Sequence, residues 1–306
     1  MKKSIYIFFL GAVALLSSCN ENDKNYGRFD ADPTGGWVQF SEDCAGIVYG
    51  ATSEITIPVE LYVPVNSDGT DVSYTLSDVV GNSTAIVPER SGSITITADD
   101  QENGGITGRR MVKNIVLNVT DAGLAETVEF DVTLTTTSKS QVTIGLPDNS
   151  KPVVKRVVVR AFGSPAYQYA GTSVQYLPGT PPTPAFVGPE YTQTLNTVPG
   201  TPLQFTTTSA WGPTFVQALS GQNVNRPYPA TITITDVVYK DGAGNKVSGT
   251  YVVNVAGIND PASPNRYPGG KGTYNACTNT FDIMLNQGVF NSPFTVRTIY
   301  SPIPAE

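Results

Sequence analysis

Histidine, the side chain that most often does acid–base or metal work near neutral pH, is missing from this sequence of 306 residues. Its absence removes Ser-His-Asp and Cys-His hydrolysis, histidine-ligated zinc and two-histidine iron sites. Three cysteines are present. Cys19 ends an apolar leader, which leaves Cys44 and Cys277, too few thiols for a zinc site. They fall in different halves, so a disulfide would have to staple the halves together, and two buried free thiols are the expectation. Paired carboxylates facing each other across a cleft would hydrolyse glycosides. Here the acids are scattered among turns, and beyond residue 161 there are only Glu190, Asp236, Asp241, Asp260, Asp282 and Glu306. No Ser-Lys pair is singled out by its spacing. The residues point away from catalysis.

They point better to binding. A sugar ring stacks its apolar face on Trp or Tyr, while its hydroxyls need amides and charged groups. The second half offers Trp211, Tyr191 and Tyr228, with Asn225 and Arg226 beside Tyr228 as polar contacts, and these five are the candidate ligand-binding residues. Tyr167, Tyr169, Tyr176 and Tyr267 stand in similar company, next to Pro, Gly or Asn, as loop residues do. Against them stands the tendency of aromatics to carry buried area in a core.

The chain opens Met1-Lys2-Lys3 and runs from Ile5 to Leu16 without a charge, a basic start and a short apolar stretch of secretory form. Leu16-Ser17-Ser18-Cys19 resembles the bacterial lipobox, in which the cysteine is lipidated and becomes N-terminal after cleavage. The reading is a lipoprotein signal peptide over residues 1–18 and a lipidated polar tether over residues 19–35. Three fatty chains on Cys19 would anchor firmly, at about 0.8 kcal/mol per buried methylene. Asn20-Glu21-Asn22-Asp23 resembles the acidic signal that sends Bacteroidetes lipoproteins to the extracellular face of the outer membrane. Without Lys2 and Lys3 the mature chain carries 17 bases against 26 acids, a charge of −9, which argues against nucleic acid and anionic headgroups as partners.

The elements that must position these residues read as strands nearly throughout. Runs such as Gly36–Phe40, Ser53–Val65, Val72–Leu76, Gly92–Thr97, Lys113–Val119, Thr127–Thr135 and Pro152–Phe162 alternate or are β-branched, with turn formers between them. About seven strands of this kind predict an antiparallel sandwich over residues 36–161. Beyond residue 162 come 17 of the 23 prolines and ten of the 15 tyrosines, and Leu177–Pro184 reads as an extended loop. Strands return at Gln193–Val198, Leu203–Thr208, Ala230–Val238, Gly249–Val255, Gly272–Tyr274, Thr280–Leu285 and Phe294–Tyr300, with a hairpin turn at Asp241–Asn245. The expected fold is all-β, two antiparallel sandwiches in series, the second a Pro/Tyr-rich β domain over residues 162–306.

Val38-Gln39-Phe40, Ser93–Thr97, Lys113–Asp121 and Glu126–Leu134 together resemble the Calx-β domain, an immunoglobulin-like sandwich. The resemblance implies a calcium site at one end, with Asp121 as the first of paired aspartates and Glu126 entering the closing strand. The second aspartate is Ala122 here, and the early glutamate is missing from Ile47-Val48-Tyr49-Gly50, which takes away ligands that calcium needs. No other cofactor is implied. Gly272–Asn275, Thr280–Ile283 and Thr295–Thr298 are similar to the C-terminal β domain of lipoproteins found beside SusC/SusD glycan importers. That likeness implies an accessory glycan-binding or importer subunit, with a polysaccharide and SusC/SusD-like proteins as partners. A cell-surface structural or adhesion lipoprotein binding protein partners is the alternative.

Overall fold

The computed structural model describes residues 35–41, 45–63, 68–101, 110–146, 153–222, 228–258 and 269–303. The leader, Cys19, the tether, Cys44, Asn225, Arg226 and Tyr267 lie outside the described residues. What is described is all-β, as expected, with one α-helix of six residues.

The N-terminal strands are β1 (Gly36–Phe40), β2 (Ala45–Val48), β3 (Glu54–Tyr62), β4 (Thr70–Val80), β5 (Ser91–Ile96), β6 (Arg110–Asn118), β7 (Val128–Thr137), β8 (Val142–Ile144) and β9 (Val154–Arg160). They make two sheets, β6-β3-β1-β8 and β2-β9-β7-β4-β5. Alternation decides which side chains meet between them. In β3, Ile55, Ile57, Val59 and Leu61 are fully buried; in β7, Val128, Phe130, Val132 and Leu134 face the same core. This is a two-sheet β-sandwich with a mostly aliphatic interior. Its first strand is split, because β1 pairs antiparallel with β3 whereas β2 has crossed to the other sheet and runs parallel to β9. β1 covers β3 only from Val59 to Tyr62, so Glu54–Pro58 of β3 has no strand partner on that side among the described residues. Pro58, which lacks an N–H, sits on this open stretch, where no ladder bond is lost.

The C-terminal half departs from the expected second sandwich. β10 (Ala166–Leu177), β11 (Thr183–Val187), β12 (Tyr191–Val198), β13 (Thr201–Thr207), β14 (Ala230–Lys240), β15 (Lys246–Gly257), β16 (Gly269–Asn275), β17 (Thr280–Asn286) and β18 (Thr295–Pro302) form one sheet. Pairing of Tyr169–Tyr176 with Pro302–Thr295 joins β10 to β18 and closes that sheet into an eight-stranded antiparallel barrel, with β11 added beside β10. β10 and β11 also correct the reading of this region as loop: Tyr167 and Tyr169 lie on a 12-residue strand, and Pro184 stands within an edge strand, where proline is tolerated.

Every second residue of each barrel strand points inward, and aromatics fill the interior. Tyr169, Phe205, Tyr274, Phe281 and Tyr300 are almost wholly buried. Phe281 is the hub, with ring centroids 4.6 Å from Tyr274, 5.5 Å from Tyr169, 6.1 Å from Tyr300 and 6.3 Å from Phe205. Both ends are plugged by chain. At one end Phe162, in the segment from β9 to β10, packs edge-on against Phe205 at 4.9 Å and Tyr167 at 5.3 Å, and Val48 of β2 joins the same cluster. At the other, the segment from β13 to β14 brings Trp211, α1 (Phe215–Ser220) and Tyr228 over the opening.

Candidate functional site

The sandwich and the barrel meet at β2, and the contact is built from specific groups. Arg160 at the end of β9 donates from Nε to the carbonyl of Ala276 at 2.7 Å and from Nη2 to that of Cys277 at 3.2 Å. The Val48 N–H donates to the Tyr251 hydroxyl at 3.4 Å. Gly46 lies so close to the 276–277 turn that a Cβ there would stand 2.8 Å from Cys277 Sγ, so glycine is required by proximity. Cys277 is disulfide-bonded. This corrects the expectation of free thiols. Two segments more than 200 residues apart in sequence are folded into contact, and Cys44, outside the described residues, stands two positions before Gly46.

Beside this contact is a cleft of about 640 Å³. One wall is the open stretch of β3, with Asn114 of β6 next to it. The facing wall is the overhang of the β14–β15 hairpin. β13 covers β14 only from Ala230 to Thr233, and β16 covers β15 only from Thr250 to Val255, so the hairpin beyond has no strand neighbours among the described residues. Its tip is the turn read from sequence, in which the Asp241 carboxylate accepts from the N–H groups of Ala243 and Asn245, both at 2.9 Å. These bonds hold the Asp241 carboxyl below its ordinary range. Asp236, Lys246 and Ser248 reach the cleft from the hairpin and Glu54 from β3. No side-chain hydrogen bond or ion pair of these four, or of Asn114, occurs among the described residues. Ile47, Ala51, Pro58 and Val238 give the cleft an apolar component. Both walls use residues that the sequence reading passed over. The signal available was the hairpin turn, whose flanks Asp236 and Lys246 had to project somewhere.

The residues singled out as a sugar platform are placed otherwise. Trp211 is 1% exposed, with its ring centroid 5.1 Å from Tyr228 and 6.1 Å from Phe215. Tyr228 is buried as well. Tyr191, at the start of β12, lies against Gly171 and Gly212, and its hydroxyl is 2.9 Å from Ser173 Oγ. Burial pushes the Tyr191 phenol well above its ordinary pKa. Trp211, Tyr228 and Tyr191 therefore close the barrel rather than offer stacking faces, because an eight-stranded barrel needs bulky plugs to exclude water.

The two candidate calcium ligands are both exposed. Asp121 accepts a hydrogen bond from the Tyr49 hydroxyl at 2.8 Å, and that hydroxyl in turn accepts from the N–H groups of Ala122 at 2.8 Å and Gly123 at 3.0 Å. Tyr49 stands in the segment where the Calx-β pattern has a glutamate, so a neutral phenol ties the loop together there. Among the described residues no group of three or more acidic or cysteine side chains could hold a metal ion.

No family model and no curated protein matches this chain. Among the solved structures similar to it in part are two of Calx CBD domains. One is the apo form of the Calx CBD1 domain, at 13% identity and a TM-score of 0.31, covering 41% of this chain and 96% of that one. The other is CBD12 from CALX1.2, at 12% identity and a TM-score of 0.28, covering 56% of this chain and 79% of that one. Both likenesses concern fold alone.

Proposed function

We propose that this chain is a non-enzymatic lipoprotein of the outer-membrane surface, anchored through a lipid on Cys19, that serves as an accessory glycan-binding or importer-complex subunit of a SusC/SusD-type system. The observation that carries this reading is the pre-formed polar cleft between two domains joined by hydrogen bonds and mutual packing. A binding protein gains from such pre-organisation, since little is lost in ordering the site when ligand arrives. The absence of histidine and the scatter of the acids support a non-catalytic role, and the basic-apolar leader with its lipobox supports export.

The test keeps the lipid on. The tagged protein is extracted from native membranes in mild detergent and its companions are identified by mass spectrometry, with Cys19→Ser as the soluble control. Recovery of a SusC/SusD-like pair at comparable abundance is the expected result. Emergence alone would sink the importer arm. The second reading, a structural or adhesion lipoprotein, has β11 in its favour. That strand is last in the barrel sheet, its outer edge pairs with no described strand, and Val187 on it is 67% exposed. Such an edge can take up an extended segment of another protein. Stoichiometric recovery of a different surface protein, lost when Ala185 on β11 is changed to proline, would favour it.

A further inference from the structure

We infer that the cleft between β3 and the β14–β15 hairpin is itself the saccharide site, and that a short neutral oligosaccharide is its ligand. This deepens the glycan-binding reading and rests on it. A sugar hydroxyl both donates and accepts, so its site needs acceptors and donors side by side. The cleft supplies acceptors in the carboxylates of Glu54 and Asp236, donors in the Lys246 ammonium, and both in the Asn114 amide and the Ser248 hydroxyl. None of these side chains is occupied by a partner among the described residues. Two negative charges and one positive give little net field, which disfavours polyanions and polycations alike and suits an uncharged ligand. Pro58 and Val238 present C–H surface for the apolar faces of the rings. The volume of about 640 Å³ falls within the ~300–1,000 Å³ common for small-ligand sites.

The site also exists only because the two domains are held together. Glu54 and Asn114 come from the sandwich, and Asp236, Lys246 and Ser248 from the barrel hairpin. Binding should therefore respond to substitution on either wall, and the two walls should couple.

The experiment screens residues 20–306, produced without the lipid, against an array of neutral and acidic oligosaccharides, then titrates the best binder by calorimetry. Asn114→Ala and Asp236→Asn should each weaken binding about tenfold, the first by losing a neutral amide hydrogen bond and the second a charge-assisted one. The double variant should fall to background, with Tm unchanged because both side chains are exposed and unpartnered. Tyr176→Ala, at the far rim of the barrel, should bind like the parent chain. If a glycan binds and the cleft variants bind it equally well, the assignment of the site is overturned while the glycan-binding reading stands. If no saccharide binds the parent chain, the reading falls, and the site assignment with it. Preference for acidic glycans that persists in the cleft variants would also overturn the proposal.

Discussion

In the sandwich, Ile55, Ile57, Val59, Leu61, Val132 and Leu134 form a core that leaves few polar atoms to satisfy; in the barrel, Tyr169, Tyr191, Tyr251, Tyr274 and Tyr300 bring a hydroxyl each. Two facing sheets lie close enough for aliphatic side chains to interdigitate. A closed sheet of eight strands has a wider interior, and rings that bury ~150–250 Å² each fill it with fewer residues. The rings then need acceptors. Tyr169 and Tyr274 both donate to Asn279 Oδ1, at 3.0 and 2.8 Å, from a residue at φ 54° in the turn after β16. Tyr300 donates to the Ala210 carbonyl in the segment that plugs the barrel. The aromatic barrel thus depends on its turns and plugs for hydrogen bonding, whereas the sandwich core is nearly self-sufficient. The accounting leaves one buried atom without a partner in each domain among the described residues, Ser41 Oγ in the sandwich and Trp211 Nε1 in the barrel.

The largest test of this contrast removes the hub. The chain has two tryptophans, Trp37 in the sandwich and Trp211 in the barrel, so Trp37→Phe and Trp211→Phe backgrounds make fluorescence report on each domain separately. Phe281→Ala is expected to cost about 4 kcal/mol by the barrel signal, because four rings lose their common neighbour. Ile57→Ala should cost about 3 kcal/mol by the sandwich signal. Equal shifts of both signals in urea for either variant would mean that the two cores are one cooperative unit.

Next in size is the link between them. Reduction of the Cys277 disulfide, or Cys277→Ser, should lower stability by about 2–4 kcal/mol. It should also separate the two unfolding transitions. Non-reducing peptide mapping is expected to recover Cys277 joined to the peptide carrying Cys44. A map showing Cys277 free would remove the covalent part of the domain contact.

The sandwich also holds a buried polar chain, and it makes a pH prediction. Trp37 Nε1 donates to Gln39 Oε1 at 3.0 Å, and Gln39 Nε2 to Glu60 Oε2 at 3.0 Å. Arg110 donates to Glu60 Oε1 at 2.6 Å and the Tyr62 hydroxyl to Oε2 at 3.2 Å. Burial alone would raise the Glu60 carboxyl, but the hydrogen bonds from Arg110, Gln39 and Tyr62 and the Arg110 charge outweigh it and hold the pKa below the ordinary value. With the folded pKa below the unfolded one, this stabilisation is full above the ordinary carboxylate range. It is lost as pH falls through the folded value. Glu60→Gln should cost about 2 kcal/mol at pH 7 by the Trp37 signal, and its stability should fall less between pH 5 and pH 3. An unchanged acid slope would remove Glu60 from the account.

The smallest effect concerns the exception in the barrel. Trp211→Phe removes an unsatisfied N–H along with some ring area, so it should be close to neutral, within about 1 kcal/mol, by thermal unfolding. A loss of about 3 kcal/mol would mean that the indole N–H finds a water or other partner.

Much of the fold is legible in the residues because strand periodicity is local. Glu129-Phe130-Asp131-Val132-Thr133-Leu134 alternates in sequence, and the same residues alternate in burial. Asp241–Asn245 carries its turn in its own side chain. The all-β class, the absence of histidine chemistry and the expectation of a lipid on Cys19 need nothing but the order of residues. Closure does not follow from that order. An inward-facing residue every second position looks the same in an open sandwich strand and in a barrel strand, so Tyr169 and Tyr300 read as strand or loop aromatics until β10 pairs with β18 across more than 100 residues. The same long-range contacts turned Trp211 from a surface candidate into a plug, brought Cys277 beside Gly46, and set Asp236 opposite Glu54. Side-chain chemistry is written residue by residue, whereas burial and juxtaposition are properties of the closed chain.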